Sequence, residues 1–196
     1  MKKKIVITGG LGYIGTELCK LYSGVSWHHR IIVIDNRFIS ERVNQVRNWN
    51  MEFIQGDILD KDLIEKYCSD ADVVHHLAGI TDVPRTKSEA SKTQDEKIKE
   101  VGEKGTQNIL DAVNDKCKII FPSTHVVYEG IDEIKTDIKE NEETKPVLSY
   151  SSSKAINENQ LKKSGKNFII LRLGSVYGYS TDSMRIDIMP NLFSKI

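Results

Sequence analysis

The chain has 196 residues, and its 28 basic and 28 acidic side chains cancel to a formal net charge of zero. That balance excludes an electrostatic nucleic-acid or membrane-surface binder, which needs an excess of Lys and Arg. The length fits a single large domain of roughly 100–200 residues, and no apolar run approaches the ~18 residues of a membrane helix. Lys2–Lys4 mimic the basic start of a signal peptide, but only Ile5-Val6-Ile7 follow before Thr8-Gly9-Gly10, so no apolar signal core exists. Cys19, Cys68 and Cys117 are scattered, odd in number and without metal-ligand spacing. They are expected as reduced, packed thiols of a cytoplasmic protein, with no metal site.

In chain order, short runs rich in Ile, Val and Phe alternate with longer helical patterns. Strands are expected at 4–8, 31–35, 51–55, 73–77, 119–123 and 168–173, with little polar alternation, as in strands covered on both faces. Helices are expected near 13–22, 60–68, 88–114 and 150–164, and 129–147 reads as a polar loop over the sheet edge. This alternation is the pattern of βαβ units. It predicts an α/β fold with a Rossmann-type, doubly wound parallel sheet. The sheet closes with its sixth strand, giving a 1–173 domain, and 174–196 is too short for a second one.

The sharpest local signal is Thr8-Gly9-Gly10-Leu11-Gly12-Tyr13-Ile14-Gly15, directly after the first strand and opening the first helix. Gly9 permits a tight turn, Gly12 lets a diphosphate approach the backbone, and Gly15 lets helix and strand pack closely. Unpaired N–H groups of the first helical turn, at Tyr13, Ile14 and Gly15, then face the phosphates. Asp35 closes the second strand 20 residues after Gly15, where a carboxylate can hold ribose hydroxyls and repel a 2′-phosphate. That favours NAD over NADP, although Arg37 softens the preference.

Reactive side chains follow. Tyr150 and Lys154 stand four apart and so share one helix face. An ammonium near the phenol is expected to pull its pKa down from about 10, as a proton-accepting Tyr requires. Ser123 and Thr124 end the fifth strand, at the carboxyl edge where open α/β sheets bind ligands. The adjacent His75 and His76 point to opposite faces of a strand and cannot chelate one metal.

Taken together, TGGLGYIG, VIDN, GDI at 56–58, HHLAG at 75–79, GTQNIL at 105–110, FPSTHVVYE at 121–129, YSSSK at 150–154 and RLGSVYG at 172–178 resemble the extended short-chain dehydrogenase/reductases. The resemblance is to their NAD-dependent epimerase/dehydratase branch, which acts on nucleotide sugars, and it covers nearly the whole chain. It implies that Tyr150 is the base, that Lys154 binds the nicotinamide ribose and that Thr124 orients the substrate hydroxyl. It also implies that Asp57 and Ile58 flank the adenine, while Leu77, Ala78 and Gly79 line the ribose and diphosphate. Asn36, in VIDN, joins Asp35 and Arg37 at the cofactor. The implied activity is nucleotide-sugar epimerisation through a transient ketone. A sugar dehydrogenase or reductase and a non-catalytic NAD-binding module are the alternatives.

Departures from the pattern are informative. The 4,6-dehydratases follow the active-site Thr with an Asp-Glu pair, whereas His125-Val126 stand here, which disfavours dehydration. His125 is itself a candidate proton donor, with a structural role beside the strand end as the alternative. Gly102 replaces a frequent Asn, and Ser175 replaces the usual Asn of the substrate-phosphate contact. Members of the family run on into a substrate lobe, of which 174–196 is the expected start. They commonly form homodimers through a four-helix bundle, here expected from the helices near 88–114 and 150–164.

Overall fold

A computed structural model of the chain describes residues 2–81, 91–180, 185 and 189–193. Six strands form one sheet: β1 Lys4–Thr8, β2 Arg30–Asp35, β3 Glu52–Gln55, β4 Val73–His76, β5 Lys118–Thr124 and β6 Asn167–Leu173. All neighbours are parallel, in the order β3-β2-β1-β4-β5-β6. The chain leaves β1 in one direction and, after β3, returns to the other side of β1. This is the expected doubly wound sheet, with its switch point between β1 and β4.

The connections are α1 Tyr13–Ser23, α2 Ser40–Asn48, α3 Lys61–Cys68, α4 Lys92–Lys99, α5 Gly105–Ala112 and α6 Ser149–Lys163, with a short α7 at Met189–Phe193. Side chains alternate across the pleat, so each strand feeds two cores. Val6, Ile32, Ile34, Val74, Ile119 and Phe121 pack with Ile64 of α3, Ile109 of α5 and Leu161 of α6. Ile5, Ile7, Ile31 and Val33 pack on the other face with Cys19 of α1 and with Val43 and Val46 of α2. Burial on both faces is why these strands read as unbroken apolar runs. At the β6 edge Ile169 and Leu171 are 40% and 42% exposed, so among the described residues the α1/α2 face is bare there. All three cysteines are buried and unpaired.

Two elements differ from expectation. Helix α2 has no counterpart in the sequence reading, because only Val43 and Val46 are buried in it, too few to print a helical period. The parallel pairing of β2 with β3 nevertheless requires a crossover there. The long helix expected near 88–114 is broken by a π-helical turn at Glu100–Lys104 and ends at Ala112, while 88–90 lie outside the described residues. Side chains of α6 take up the widened turn's carbonyls: Asn157 Nδ2 donates to Gly102 O and Gln160 Nε2 to Glu103 O, each at 3.0 Å. This packing lays α6 beside α4 and the π turn.

One buried ion pair ties the end of the sheet to α6. Glu158 of α6 accepts from Arg172 of β6, Nε to Oε1 at 2.9 Å and Nη2 to Oε2 at 2.6 Å. Ser123 Oγ of β5 donates to Oε1 at 2.6 Å, and Arg172 also reaches Tyr128 Oη and Glu140 O. Burial pushes the Glu158 carboxyl up, but the hydrogen bonds from Arg172 and Ser123 outweigh it and hold the pKa below its usual value. Breaking one side of such a pair leaves a buried charge alone. Glu158→Ala is therefore expected to lower unfolding stability by about 3–5 kcal/mol, read from the urea midpoint. A loss under about 1 kcal/mol would show that the network is screened by solvent.

Candidate active site

All six strands end on one cavity of about 1140 Å³, larger than the roughly 300–1,000 Å³ of ordinary small-molecule sites. Its lining runs from Gly9, Gly12, Tyr13, Ile14 and Gly15, through Asp35 and Asp57, past Leu77–Gly79, to Thr124, Tyr150 and Lys154. Most of the residues singled out from the sequence thus share one edge.

The glycine turn is shaped by close backbone approach. Gly9 has φ +67°, and a Cβ there would stand 2.7 Å from Ala78 N, so only glycine fits. Gly9 N donates to Ile34 O at 2.7 Å, pinning the turn to β2. Gly12 is the N-cap of α1; no side chain caps that helix and its first turn holds no acid. A Cβ on Gly12 would project toward the cavity, meeting Gly9 O at 3.2 Å and Arg37 Nη2 at 3.9 Å. A bare cradle at a helix N-terminus, with no acid in its first turn, fits a diphosphate.

At the second strand's end, Asp35 is buried. Its Oδ2 accepts from Leu11 N at 3.0 Å and its Oδ1 from Arg37 N at 3.0 Å, with Arg37 Nε at 3.5 Å. The carboxylate therefore holds the glycine turn as well as facing the cavity, and each oxygen keeps a further lone pair. Asn36 Nδ2 donates to Asp57 Oδ2 at 3.0 Å, so these two side chains form one rim. Ile58 is buried under α5, its carbonyl accepting from Asn108 Nδ2 at 2.9 Å. Below β4, Ala78 N donates to Thr8 Oγ1 at 3.2 Å, and the Thr8 hydroxyl shares a hydrogen bond with His76 Nδ1 at 3.1 Å. His76 Nε2 is hydrogen-bonded to Thr106 Oγ1 at 3.0 Å. Burial holds this imidazole down to about 3, so it is neutral, as is His75 at about 4 on the opposite face.

At the far end of the cavity Lys154 Nζ donates to Pro122 O at 2.8 Å and stands 4.4 Å from the centroid of the Phe121 ring. The ammonium lies 6.0 Å from the Tyr150 ring centroid and does not pair with the phenol. The expected lowering of the Tyr150 pKa is thus not found. Burial raises it, and Arg185 is the group drawing it back. A desolvated ammonium needs an acceptor, and the Pro122 carbonyl meets it first. Ser123 and Thr124 both border the cavity, but the Ser123 hydroxyl is spent on Glu158, while Thr124 Oγ1 accepts from Val126 N at 3.3 Å. His125 is exposed, with Nδ1 3.1 Å from Leu173 O, and does not line the cavity.

The sequence profile of the NAD dependent epimerase/dehydratase family matches residues 5–196. The chain belongs to that family. It is 33% identical over 187 residues to a putative UDP-glucose 4-epimerase of Methanocaldococcus jannaschii, covering 91% of this chain and 57% of that one. It is 31% identical over 197 residues to a dTDP-D-glucose 4,6-dehydratase of Dictyostelium discoideum, covering 90% of this chain and 44% of the relative. Among solved structures, UDP-glucuronic acid 4-epimerase from Bacillus cereus, in complex with UDP-glucuronic acid and NAD, superposes with a TM-score of 0.75. That match has 27% identity and covers 96% of this chain and 60% of the other. The chain spans about half the length of the curated relatives it matches.

Other cavity residues escaped the sequence reading. Gln94, Lys97, Glu100 and Val101 line the side formed by α4 and the π turn, and Val176 and Arg185 line the opposite lip. Nothing in a polar helical run distinguishes the few charges that face a cavity from those that face solvent. Glu158 was findable in principle, four residues after Lys154 on the same helix face. It raises the affinity of Lys154 for its proton, against a burial effect that carries the ammonium from 10.5 down to about 8. Burial favours the uncharged amine, so the proton is expected to leave Lys154 near pH 8, while exposed lysines hold theirs beyond pH 10. NMR of 13Cε-labelled lysine would read that midpoint directly. A midpoint above 10 would show that water reaches the amine.

Proposed function

We propose that the protein containing this chain is an NAD-dependent nucleotide-sugar epimerase. The observation that carries this reading is the convergence of Thr124, Tyr150 and Lys154 on the cavity whose other end is the glycine turn and Asp35. Tyr150 Oη takes the proton of a sugar hydroxyl, and Thr124 Oγ1 hydrogen-bonds that hydroxyl. For this the burial-raised pKa of Tyr150 must come down in the holoenzyme, the direction in which the positive charge of an oxidised nicotinamide would act. Lys154 holds the nicotinamide ribose and places positive charge beneath the site. The nicotinamide, when bound, supplies the hydride acceptor. Asp35 receives the adenosine ribose, and the rim of Asn36, Asp57 and Ile58 flanks the adenine. The diphosphate is held by the turn from Gly9 to Gly15, with Leu77, Ala78 and Gly79 beneath.

The choice of NAD over NADP rests on Asp35, and Arg37 supports it because its guanidinium is turned onto that carboxylate. The choice of epimerase over dehydratase rests on the residues after Thr124. His125 is committed to the Leu173 carbonyl and Val126 is apolar, so no acid pair stands there to eliminate water. The same proposal divides the chain at residue 173, with 174–196 beginning the substrate-binding region. In support, Gly174 and Val176 line the cavity, and Tyr13 Oη of the glycine turn donates to Gly178 O at 2.6 Å.

Calorimetric titration is expected to show NAD+ binding and NADP+ binding at least tenfold weaker. Tyr150→Phe is expected to remove turnover of a nucleotide sugar by at least about a hundredfold, with NAD+ affinity kept within a few fold. Binding of neither cofactor by the folded chain would overturn the cofactor assignment, and retained turnover would overturn Tyr150 as base.

A further inference from the structure

Helix α6 carries Tyr150 and Lys154, yet the residue that begins it cannot cap it. Its N-cap is Leu148, whose side chain accepts no hydrogen bond, where Ser, Thr, Asp or Asn would ordinarily supply an oxygen. Tyr150 is only the second residue of the helix, inside the turn that fraying reaches first.

Two acceptors stand at this start instead: Ser151 Oγ of the helix itself accepts from Leu148 N at 3.2 Å, and a carboxylate arrives from elsewhere in the chain. Glu129 Oε1 accepts from Leu148 N at 2.7 Å and from Val147 N at 2.8 Å, and the Ser151 hydroxyl donates to the same oxygen. Glu129 directly follows the 3₁₀ turn His125–Tyr128 that leaves β5. Its carboxylate joins the two ends of the 129–147 loop over 18 and 19 residues of sequence. Gly130 N to Lys145 O and Lys145 N to Val127 O, each 2.8 Å, hold the same closure. Burial pushes the Glu129 carboxyl up, but the donors from Ser151, Leu148 and Val147 outweigh it and keep it below its usual pKa. A negative charge at this end of α6 also opposes the positive end of the helix dipole.

We propose that Glu129 is a positioning residue for Tyr150: by holding the Val147 and Leu148 amides and the Ser151 hydroxyl it anchors the start of α6 in trans and so fixes the helical turn from which the phenol reaches the cavity. The consequence for catalysis rests on the reading of Tyr150 as the base; the cap itself does not. Glu129 is absent from the cavity lining and touches no reacting group.

The test compares the unaltered chain with Glu129→Ala, Leu148→Ser and the double variant, by amide hydrogen exchange and by the phenol titration of 13Cζ-labelled Tyr150. Glu129→Ala is expected to speed exchange at Ser152 to Lys154 roughly five- to tenfold, the worth of one helix cap, while amides of β1 keep their protection. The Tyr150 titration is expected to move from its raised value toward that of free tyrosine as the turn admits water. Leu148→Ser places an ordinary cap at the helix start, so in the Glu129→Ala background it is expected to restore both readouts to within about twofold. Unchanged exchange and titration in Glu129→Ala would overturn the proposal, as would failure of Leu148→Ser to rescue them. Should Tyr150→Phe retain turnover, the choice of base falls, and these readouts still decide the cap.

Discussion

A parallel sheet with helices packed on both faces offers a ligand chiefly the edge where its strands end. Here the strand order β3-β2-β1-β4-β5-β6 reverses between β1 and β4. The crossovers on the two sides therefore part at that point and leave a crevice at the carboxyl ends. Everything in the site depends on that reversal. Gly9 turns against Ala78 because β1 and β4 are neighbours, and Asp35 reaches Leu11 N because β1 and β2 are. Thr124 and Lys154 arrive from β5 and α6, one strand further along.

The crevice is anchored by buried polar groups behind it. His76 is a neutral relay between Thr8 and Thr106, fixing the end of β1, the start of the β4 loop and α5 relative to one another. Glu158 does the same for α6, β5 and β6 through Ser123 and Arg172. Groups of this kind destabilise when left unpaired, so each arrangement that satisfies them all is hard to exchange for another. The π turn belongs to this scheme. Its widened backbone leaves carbonyls that Asn157 and Gln160 collect, which locks α6 against the wall of the cavity.

Much of this was legible in the residues. The apolar runs gave all six strands to within a residue at most ends, and the glycine spacing located the turn that β4 approaches. The opposed orientation of His75 and His76 followed from a two-residue period alone. Three things were not legible. Helix α2 is held by two valines, so its existence shows only through the parallel pairing it makes possible. The break in the long helix depends on side chains of α6 more than 50 residues away. The partner of Lys154 is a backbone carbonyl, and no spacing rule points to one.

The sequence by itself determined the strands, the order of the motifs and the family, because these depend on local period and on residues close in the chain. It also named Thr124, Tyr150 and Lys154 as a set. Tertiary structure alone decided what state those groups are in. Spacing placed an ammonium beside a phenol, whereas burial and a nearer carbonyl separated them, leaving Tyr150 with a raised pKa and Lys154 with a lowered one. It also brought Glu129, 19 residues away in sequence, onto the Leu148 amide at the start of α6. Desolvation and long-range hydrogen bonding depend on which segments the fold brings together, and the chain acquires both only when the sheet and its helices close.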